Sequence, residues 1–167
     1  MMYLNKYDSP LGMITMVSDG TALTGLWFEG QKYFMASCTQ PAEIKDLPVF
    51  AEAKLWLDQY FSGQIPGCLP PLRPKGTAFQ LTVWDLLMKI PYGETVTYKE
   101  IAERAALKTG KLRMSAQAAG NAVGHNPISI MIPCHRVIGT DGSLKGYAGG
   151  IERKQYLLEL EKKREKV

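Results

Sequence analysis

Residues 66–76 constrain the fold most, because prolines interrupt this short stretch repeatedly. The prolines are Pro66, Pro70, Pro71 and Pro74. Proline lacks a backbone N–H and fixes φ, which excludes both a helix interior and a central β-strand here. Proline-rich segments act as stiff spacers. The sequence therefore predicts two domains, residues 1–76 with the linker and residues 77–167.

The first domain is predicted to combine a β-sheet with one helix, which is an α+β arrangement. The predicted strands are residues 3–7, 13–17 and 23–28. Asp19-Gly20, between the last two, is typical of a hairpin turn. From residue 48 to residue 61 apolar side chains recur at helical spacing instead, and Gly63 follows as a helix end.

The second domain is predicted to be mostly helical. Capping boxes open two helices, one at Thr77 with Gln80 and one at Thr97 with Glu100. A basic loop, residues 107–114, precedes a helix that is rich in alanine and glycine. Two short helices with a basic connection are typical of a helix-turn-helix. A helix of small residues equally suits tight packing against a neighbouring helix, and the pattern leaves both interpretations open.

The segment Pro133-Cys134-His135 is the strongest candidate for chemistry. The apolar residues before it, 128–131, predict a buried strand that ends at the proline. A thiolate is a strong nucleophile, and an adjacent base is a usual means of forming one. We therefore expect a nucleophilic Cys134 whose pKa lies below the free value of ~8.5. The alternative is a buried cysteine that packs as a small hydrophobe.

The C-terminal helix carries a carboxylate where an apolar side chain is expected. In helical projection Glu161 lies between Leu157 and Leu158, whereas Glu159 points away from them. A carboxylate within an apolar arc is costly unless it is paired. A histidine partner would give Glu161 a role in a mechanism, and a solvated helix end is the alternative.

The charge of the chain is unevenly divided. Residues 1–77 carry 6 Lys and Arg against 7 Asp and Glu, and residues 78–167 carry 14 against 9. A basic second half favours a polyanionic partner. The sequence has neither an apolar run of ~18 residues for a membrane span nor the pattern of a signal peptide. Cys38, Cys68 and Cys134 lack the spacing of a disulfide framework or a metal site, which predicts a cytoplasmic protein without metal.

Three ordered motifs resemble the O6-alkylguanine-DNA alkyltransferase family, the methylated-DNA–protein-cysteine methyltransferases. The motifs are Asn126-Pro127-Ile128 with Pro133-Cys134-His135-Arg136-Val137, then Gly146-Tyr147-Ala148-Gly149-Gly150, and finally Leu157-Leu158-x-x-Glu161. The first domain resembles the family less distinctively, through Ser9-Pro10-Leu11-Gly12. The resemblance implies a ribonuclease-H-like first domain and a winged helix-turn-helix-like catalytic domain.

The resemblance also implies a DNA repair reaction. A single-turnover protein of this kind moves an alkyl group from O6 of guanine, with O4-alkylthymine as a further candidate, to its own cysteine. The residues implied are Cys134 as nucleophile, His135 as base acting through a water, Glu161 as the orienting carboxylate and Asn126 as the hinge. We expect a monomer that needs no cofactor. Its expected partner is double-stranded DNA with an alkylated base, and no membrane association is expected.

Base flipping through the minor groove is part of the same implication. The implied base pocket consists of Tyr98, Val137, Tyr147 and Ala148, and the implied DNA contacts are Lys111, Arg113, Ser115, Ala116 and Gln117. Two positions depart from the family pattern. Gln117 stands where many members insert an arginine into the base stack, and Ala148 stands where a serine is frequent. The basic loop is also longer than usual.

Three other functions compete with this interpretation. A non-catalytic alkyltransferase-like protein flags lesions, but such proteins lack the cysteine found at Cys134. A cysteine hydrolase using Cys134, His135 and Glu161 would turn over an ester or amide, and the DNA-binding features disfavour it. A regulator that senses alkylation at Cys134 would need an effector domain, which is not apparent. The sequence favours the repair methyltransferase.

Overall fold

The first domain is a mixed four-stranded sheet in a computed structural model that describes residues 1–165. Its strands are β1 (Met2–Ser9), β2 (Gly12–Ser18), β3 (Leu23–Phe28) and β4 (Ala42–Ile44). The order is β3-β2-β1-β4, with β4 parallel to β1 and the other pairs antiparallel. The predicted hairpin turn is confirmed: Asp19 Oδ1 accepts from the backbone N of Thr21 and of Ala22, both at 3.0 Å.

Helix α1 (Pro48–Phe61) packs on this sheet and spans the predicted residues. Proline suits its first turn, where the missing N–H has no intrahelical acceptor. The buried residues of α1 are Val49, Phe50, Ala53, Trp56, Leu57 and Tyr60. They belong to one hydrophobic cluster that continues into the second domain, through Val83, Leu87 and Ile101 among others. The two domains therefore share a core.

Within residues 78–165, four α-helices make up most of the second domain. They are α2 (Ala78–Leu87), α3 (Tyr98–Thr109), α4 (Ala116–Gly124) and α5 (Ile151–Glu165). Both predicted capping boxes are present, at Thr77 with Gln80 and at Thr97 with Glu100. The indole Nε1 of Trp84 on α2 donates to the carbonyl of Ala122 on α4 at 2.8 Å, which fixes α4 against the core.

The connection between α3 and α4 is shorter than predicted. Helix α3 continues to Thr109, so Lys108 lies in its last turn and not in the loop. Gly110, with φ at 72°, then ends the helix in the left-handed conformation that glycine adopts readily. Helix α4 begins at Ala116, because the Ser115 side chain caps it by accepting from Ala118 N at 3.0 Å.

Residues 128–131 do not form the predicted buried strand. After one bridge between Ile128 and Leu26, the chain turns and enters a 3-10 helix, Cys134–Arg136. The Asn126 side chain binds backbone groups that a strand would pair with its neighbour. Its Oδ1 accepts from Ile128 N (3.0 Å) and its Nδ2 donates to Ile132 O (2.8 Å). Ile130 has a φ of 70°, which is strained for a β-branched residue. Such strain persists where the surroundings enforce it, often at functional sites.

The outer edge of β3 holds the two domains together. Leu26 N donates to Pro127 O (2.8 Å), and Ser129 N donates to Leu26 O (2.9 Å). The linker is bound to the same edge by the hydrogen bond from Leu23 N to Pro71 O (2.8 Å). The turn before Cys134 is therefore anchored to the sheet of the first domain. A short parallel pair, β5 (Val96–Thr97) with β6 (Val137–Ile138), follows the 3-10 helix.

Candidate active site

Cys134 begins the 3-10 helix and is only 5% exposed. Its sulfur faces the Asn126 side chain, whose amide also holds the preceding turn through Ile132 O. In a 3-10 helix, with three residues per turn, consecutive side chains diverge by about 120°. His135 therefore points away from Cys134 despite being its neighbour in sequence, and the fold places it toward α5.

His135 and Glu161 form a completely buried pair. Nε2 of His135 lies 2.5 Å from Oε2 of Glu161, and the two side chains are 0% and 1% exposed. A carboxylate only accepts hydrogen bonds, so Nε2 is the protonated ring nitrogen and donates a hydrogen bond to Glu161. Nδ1 of His135 is then the basic nitrogen. It is buried and has no hydrogen-bond partner within residues 1–165.

Glu161 collects further donors from three parts of the chain. Nε of Arg136 donates to its Oε1 at 2.8 Å, and the backbone N of Gly93 donates to the same oxygen at 3.0 Å. The hydroxyl of Tyr60 donates to Oε2 at 2.6 Å. Burial alone would raise the pKa of Glu161, but hydrogen bonds and charges of His135 and Arg136 lower it to about 2. Glu161 is thus a carboxylate at neutral pH.

His135 is neutral at the same pH. Burial lowers its pKa below the ordinary value of 6.5, although Glu161 acts in the opposite direction. The nearby positive charges of Arg136 and Lys154 add to the lowering. A neutral ring with a free Nδ1 is the form in which histidine accepts a proton.

The expected low pKa of Cys134 is wrong for this state of the protein. Burial raises the pKa of the thiol to about 11, and the Asn126 side chain and the charge of Lys154 oppose this rise only in part. Desolvation disfavours the thiolate more than these neighbours favour it. The cysteine is a neutral thiol here, so chemistry at its sulfur needs a base to remove the proton.

Three residues of this site were missed from the sequence: Arg136, Lys154 and Tyr60. Lys154 is fully buried, donates to Val137 O at 2.5 Å and lies 5.6 Å from the centre of the Tyr98 ring. Its spacing from Glu161, seven residues along one helix, places both on the same helix face and could have indicated it. Tyr60 belongs to the other domain, and no spacing within the sequence indicates its position.

A cavity of about 400 Å³ lies beside this buried cluster. Its lining residues are Lys32, Tyr33, Gly120, Asn121, Gly124, Gly146, Tyr147 and Ala148. Two of the predicted pocket residues, Tyr147 and Ala148, are among them. Burial raises the pKa of Tyr147, and the charge of a Cys134 thiolate would raise it further, which places this phenol near the sulfur.

The other two predicted pocket residues lie deeper. Tyr98 packs against the cavity wall, because a Cβ added at Gly146 would lie 2.9 Å from its hydroxyl oxygen. That hydroxyl donates to Lys145 O at 3.1 Å. Val137 is fully buried in β6 and contacts the cluster through its carbonyl, which accepts from Lys154. The fold thus joins Tyr98 and Val137 to the site through Lys154.

The predicted DNA contacts form one exposed surface. It consists of Lys111, Arg113, Ser115, Ala116 and Gln117. These residues lie in the loop before α4 and in its first turn, which α2 and α3 support from behind. Leu112 in the same loop is also fully exposed. Lys111 and Arg113 are therefore available to a partner that carries negative charge.

Among residues 1–165, no group of three or more His, Cys, Asp or Glu side chains is arranged to hold a metal ion. Over the same range, no helix has both the length and the apolar character needed to cross a bilayer.

Two family models match the chain in the order of its domains. Residues 2–69 match the ribonuclease-like domain of 6-O-methylguanine DNA methyltransferase. Residues 78–163 match the DNA binding domain of the same protein. Together these matches include every residue of the candidate active site.

Curated relatives and solved structures agree with the models. Methylated-DNA–protein-cysteine methyltransferases from Haemophilus influenzae and Methanosarcina barkeri are 43% and 45% identical to the chain. Each alignment covers 96% of this chain, with 87% and 97% of the relative. The crystal structure of Mycobacterium tuberculosis OGT in complex with DNA superposes with a TM-score of 0.84 at 42% identity, over 97% of this chain and 94% of that one. The chain belongs to the O6-alkylguanine-DNA alkyltransferase family.

Proposed function

We propose that this protein repairs alkylated DNA by moving the alkyl group from O6-alkylguanine to its own Cys134. One observation carries the proposal: a neutral, buried thiol precedes a His135–Glu161 pair whose Nδ1 is free to accept a proton. The relatives that bear the name methylated-DNA–protein-cysteine methyltransferase, at 40–45% identity, support the same reaction.

The transfer balances as a displacement at carbon. Nδ1 of His135 takes the proton of Cys134 by way of a water molecule, and Glu161 stabilises the imidazolium that forms. The thiolate attacks the alkyl carbon, so an S–C bond forms as the C–O6 bond breaks and its electron pair goes to O6. His135 then gives its proton to the leaving guanine. The products are neutral guanine and an alkylated cysteine, which has no route back to the thiol.

The DNA would approach on the surface formed by α4 and the loop before it. We assign α3 and α4 to the helix-turn-helix of a winged catalytic domain, residues 77–167, and residues 1–76 to a ribonuclease-H-like domain. The target base is flipped through the minor groove, at a cost of a few kcal/mol, into the cavity beside Tyr147 and Ala148. Asn126 acts as the hinge that connects α4 with the Cys134 turn.

Three free cysteines suit a reducing cytoplasm.

Methyl transfer from a labelled O6-methylguanine duplex tests this function. We expect one methyl group per protein molecule, on the peptide that contains Cys134, and none on Cys134→Ser. Cys38→Ser and Cys68→Ser are the matched controls and retain full transfer, since these cysteines lie outside the site. Repeated turnover by the wild type, or residual labelling of Cys134→Ser, contradicts the proposal. A duplex with O4-methylthymine in the same position measures the second candidate substrate.

A further inference from the structure

Tyr60 reaches the buried pair from the opposite domain. It lies on α1, is fully buried, and its hydroxyl oxygen is 2.6 Å from Oε2 of Glu161. The same oxygen is 3.4 Å from Nε2 of His135. Tyr60 and His135 therefore share one carboxylate oxygen as acceptor, although 75 residues of sequence separate them.

The ring of Tyr60 is held rigidly. It stacks on Trp56 with centroids 5.4 Å apart and an interplanar angle of 11°, and it meets Phe61 edge to face at 5.4 Å. Tyr92 adds a second edge contact at 6.2 Å. Burial and then the charge of Glu161 raise the pKa of Tyr60 well above 10, so its hydroxyl remains a donor at any physiological pH. A fixed donor of this kind restricts where the carboxylate can lie.

We propose that Tyr60 is a positioning residue for alkyl transfer, which holds the Glu161 carboxylate in register with His135. The inference rests on the proposed relay of Cys134, His135 and Glu161. It gives the first domain a part in the chemistry, because α1 supplies the hydroxyl and the second domain supplies the other groups. Those groups are Arg136 and the Gly93 amide on Glu161, with Lys154 near His135.

The physical reason is that Tyr60 and His135 share the negative charge of one carboxylate oxygen of Glu161. A carboxylate oxygen that accepts from Tyr60 has less negative charge to offer His135, which supports the neutral ring that burial already favours. Without the hydroxyl, Glu161 would stabilise the imidazolium more strongly before DNA binds, and the carboxylate would be free to rotate. The freer carboxylate lowers the fraction of protein in which His135 is oriented to accept the proton of Cys134. The raised pKa of His135 adds to this loss at the acid end of the pH range.

Tyr60→Phe tests the inference, because it removes one oxygen and keeps the stack on Trp56. We expect single-turnover methyl transfer at pH 7 to slow about tenfold, the usual effect of one hydrogen bond to a charged group. We also expect the acid limb of the pH–rate profile to move to higher pH, with DNA affinity unchanged. The matched control is Tyr7→Phe. This change removes the 2.6 Å hydrogen bond from the hydroxyl of Tyr7 to Asp58, which lies on α1 like Tyr60 but outside the site. Tyr7→Phe leaves the rate and the profile as in the wild type.

A double-mutant cycle separates this inference from the relay on which it rests. If Tyr60 acts through Glu161, Tyr60→Phe has no further effect on the rate in a Glu161→Gln background. Wild-type rates in Glu161→Gln overturn the relay itself. If Glu161→Gln is slow but Tyr60→Phe has a wild-type rate or an unmoved pH profile, the inference alone is overturned. Equal slowing by Tyr60→Phe in both backgrounds also overturns it.

Nitrogen NMR of the histidines decides the matter if Glu161→Gln does not fold. The chain has two histidines, so the ring signals of His135 are distinguished by comparison with His125. We expect the pKa of His135 to be higher in Tyr60→Phe than in the wild type and in Tyr7→Phe. The same pKa in all three proteins would overturn the inference.

Discussion

Single residues in this site keep the thiol of Cys134 protonated until a base acts on it. Cys134 is a neutral thiol because burial outweighs the help of Asn126 and Lys154. Glu161 is ionised because Arg136 and His135 stabilise it in the interior. Burial outweighs the opposing effect of Glu161 and leaves His135 neutral. A buried thiol of raised pKa reacts slowly with oxidants and stray alkylating agents, so Cys134 is protected from them until a base removes its proton.

Glu161→Gln should slow methyl transfer by about 100-fold, the lower end of the range for losing acid–base assistance. The amide cannot stabilise an imidazolium at His135, whereas the DNA-binding surface is unaffected. The variant also leaves Arg136 buried without a charged partner, which costs about 3 kcal/mol of folding free energy. Single-turnover rates and binding titrations with the same duplex measure the two effects separately.

Glu159→Gln is the matched control for this change. Glu159 lies on the same helix, is exposed, and accepts only from Gln155 at 3.2 Å among the described contacts. We expect its rate, DNA affinity and unfolding temperature to equal those of the wild type. A slower rate in Glu159→Gln than in Glu161→Gln would show that the relay has been assigned to the wrong carboxylate.

At the scale of elements, we propose that α4 and the loop before it have different roles in binding DNA. Gln117 projects from the exposed first turn of α4, while Lys111 and Arg113 lie in the loop that precedes it. Glutamine can hydrogen-bond an orphan base but brings no charge to the duplex. Our hypothesis is that Lys111 and Arg113 supply the positive charge that an arginine at position 117 would have brought.

This division predicts different losses for changes in the two elements. Lys111→Ala or Arg113→Ala should weaken binding to every duplex alike and reduce the log–log salt dependence of binding by about one unit. Gln117→Ala should slow repair in a duplex and leave the reaction with free O6-methylguanine base unchanged. Rates with the two substrates, measured side by side, check this. Equal slowing of both by Gln117→Ala would instead assign Gln117 to chemistry or folding.

At the scale of the whole molecule, the two domains share one hydrophobic core beside the site. The edge of β3 binds both the linker and the turn before Cys134, and Tyr60 crosses to Glu161. The buried His135–Glu161 pair is thereby tied to the first domain through Tyr60. Its titration should appear in the stability of the entire chain.

Thermal unfolding should therefore become easier in two steps as the pH falls. Below about 6.5, the ordinary pKa of histidine, the unfolded chain gains a proton at His135 while the folded chain does not, because its pKa is lowered. From pH 4.5 down to about 2 the same argument applies to Glu161, which remains ionised only in the folded state. Asp19, whose pKa is also lowered, adds to this second step.

Scanning calorimetry between pH 8 and pH 3 measures these steps. Glu161→Gln should reduce the loss of stability below pH 4.5, and Asp19→Asn should reduce it independently, because the two carboxylates lie in different clusters. An unfolding temperature that stays constant over the whole range would contradict the assigned states of both His135 and Glu161.

The sequence by itself determined the features that depend on near neighbours in the chain. The capping boxes at Thr77 and Thr97 fixed helix starts, and helical spacing placed Glu161 on the apolar face, because these interactions lie within two turns. The motif around Cys134 predicted this residue as the candidate nucleophile. The tertiary structure alone decided the rest. Asn126 replaced the expected strand with a turn, burial reversed the expected pKa shift of the thiol, and Tyr60 met Glu161 across 101 residues of sequence. Desolvation and long-range contacts exist only once both domains have packed around a common core.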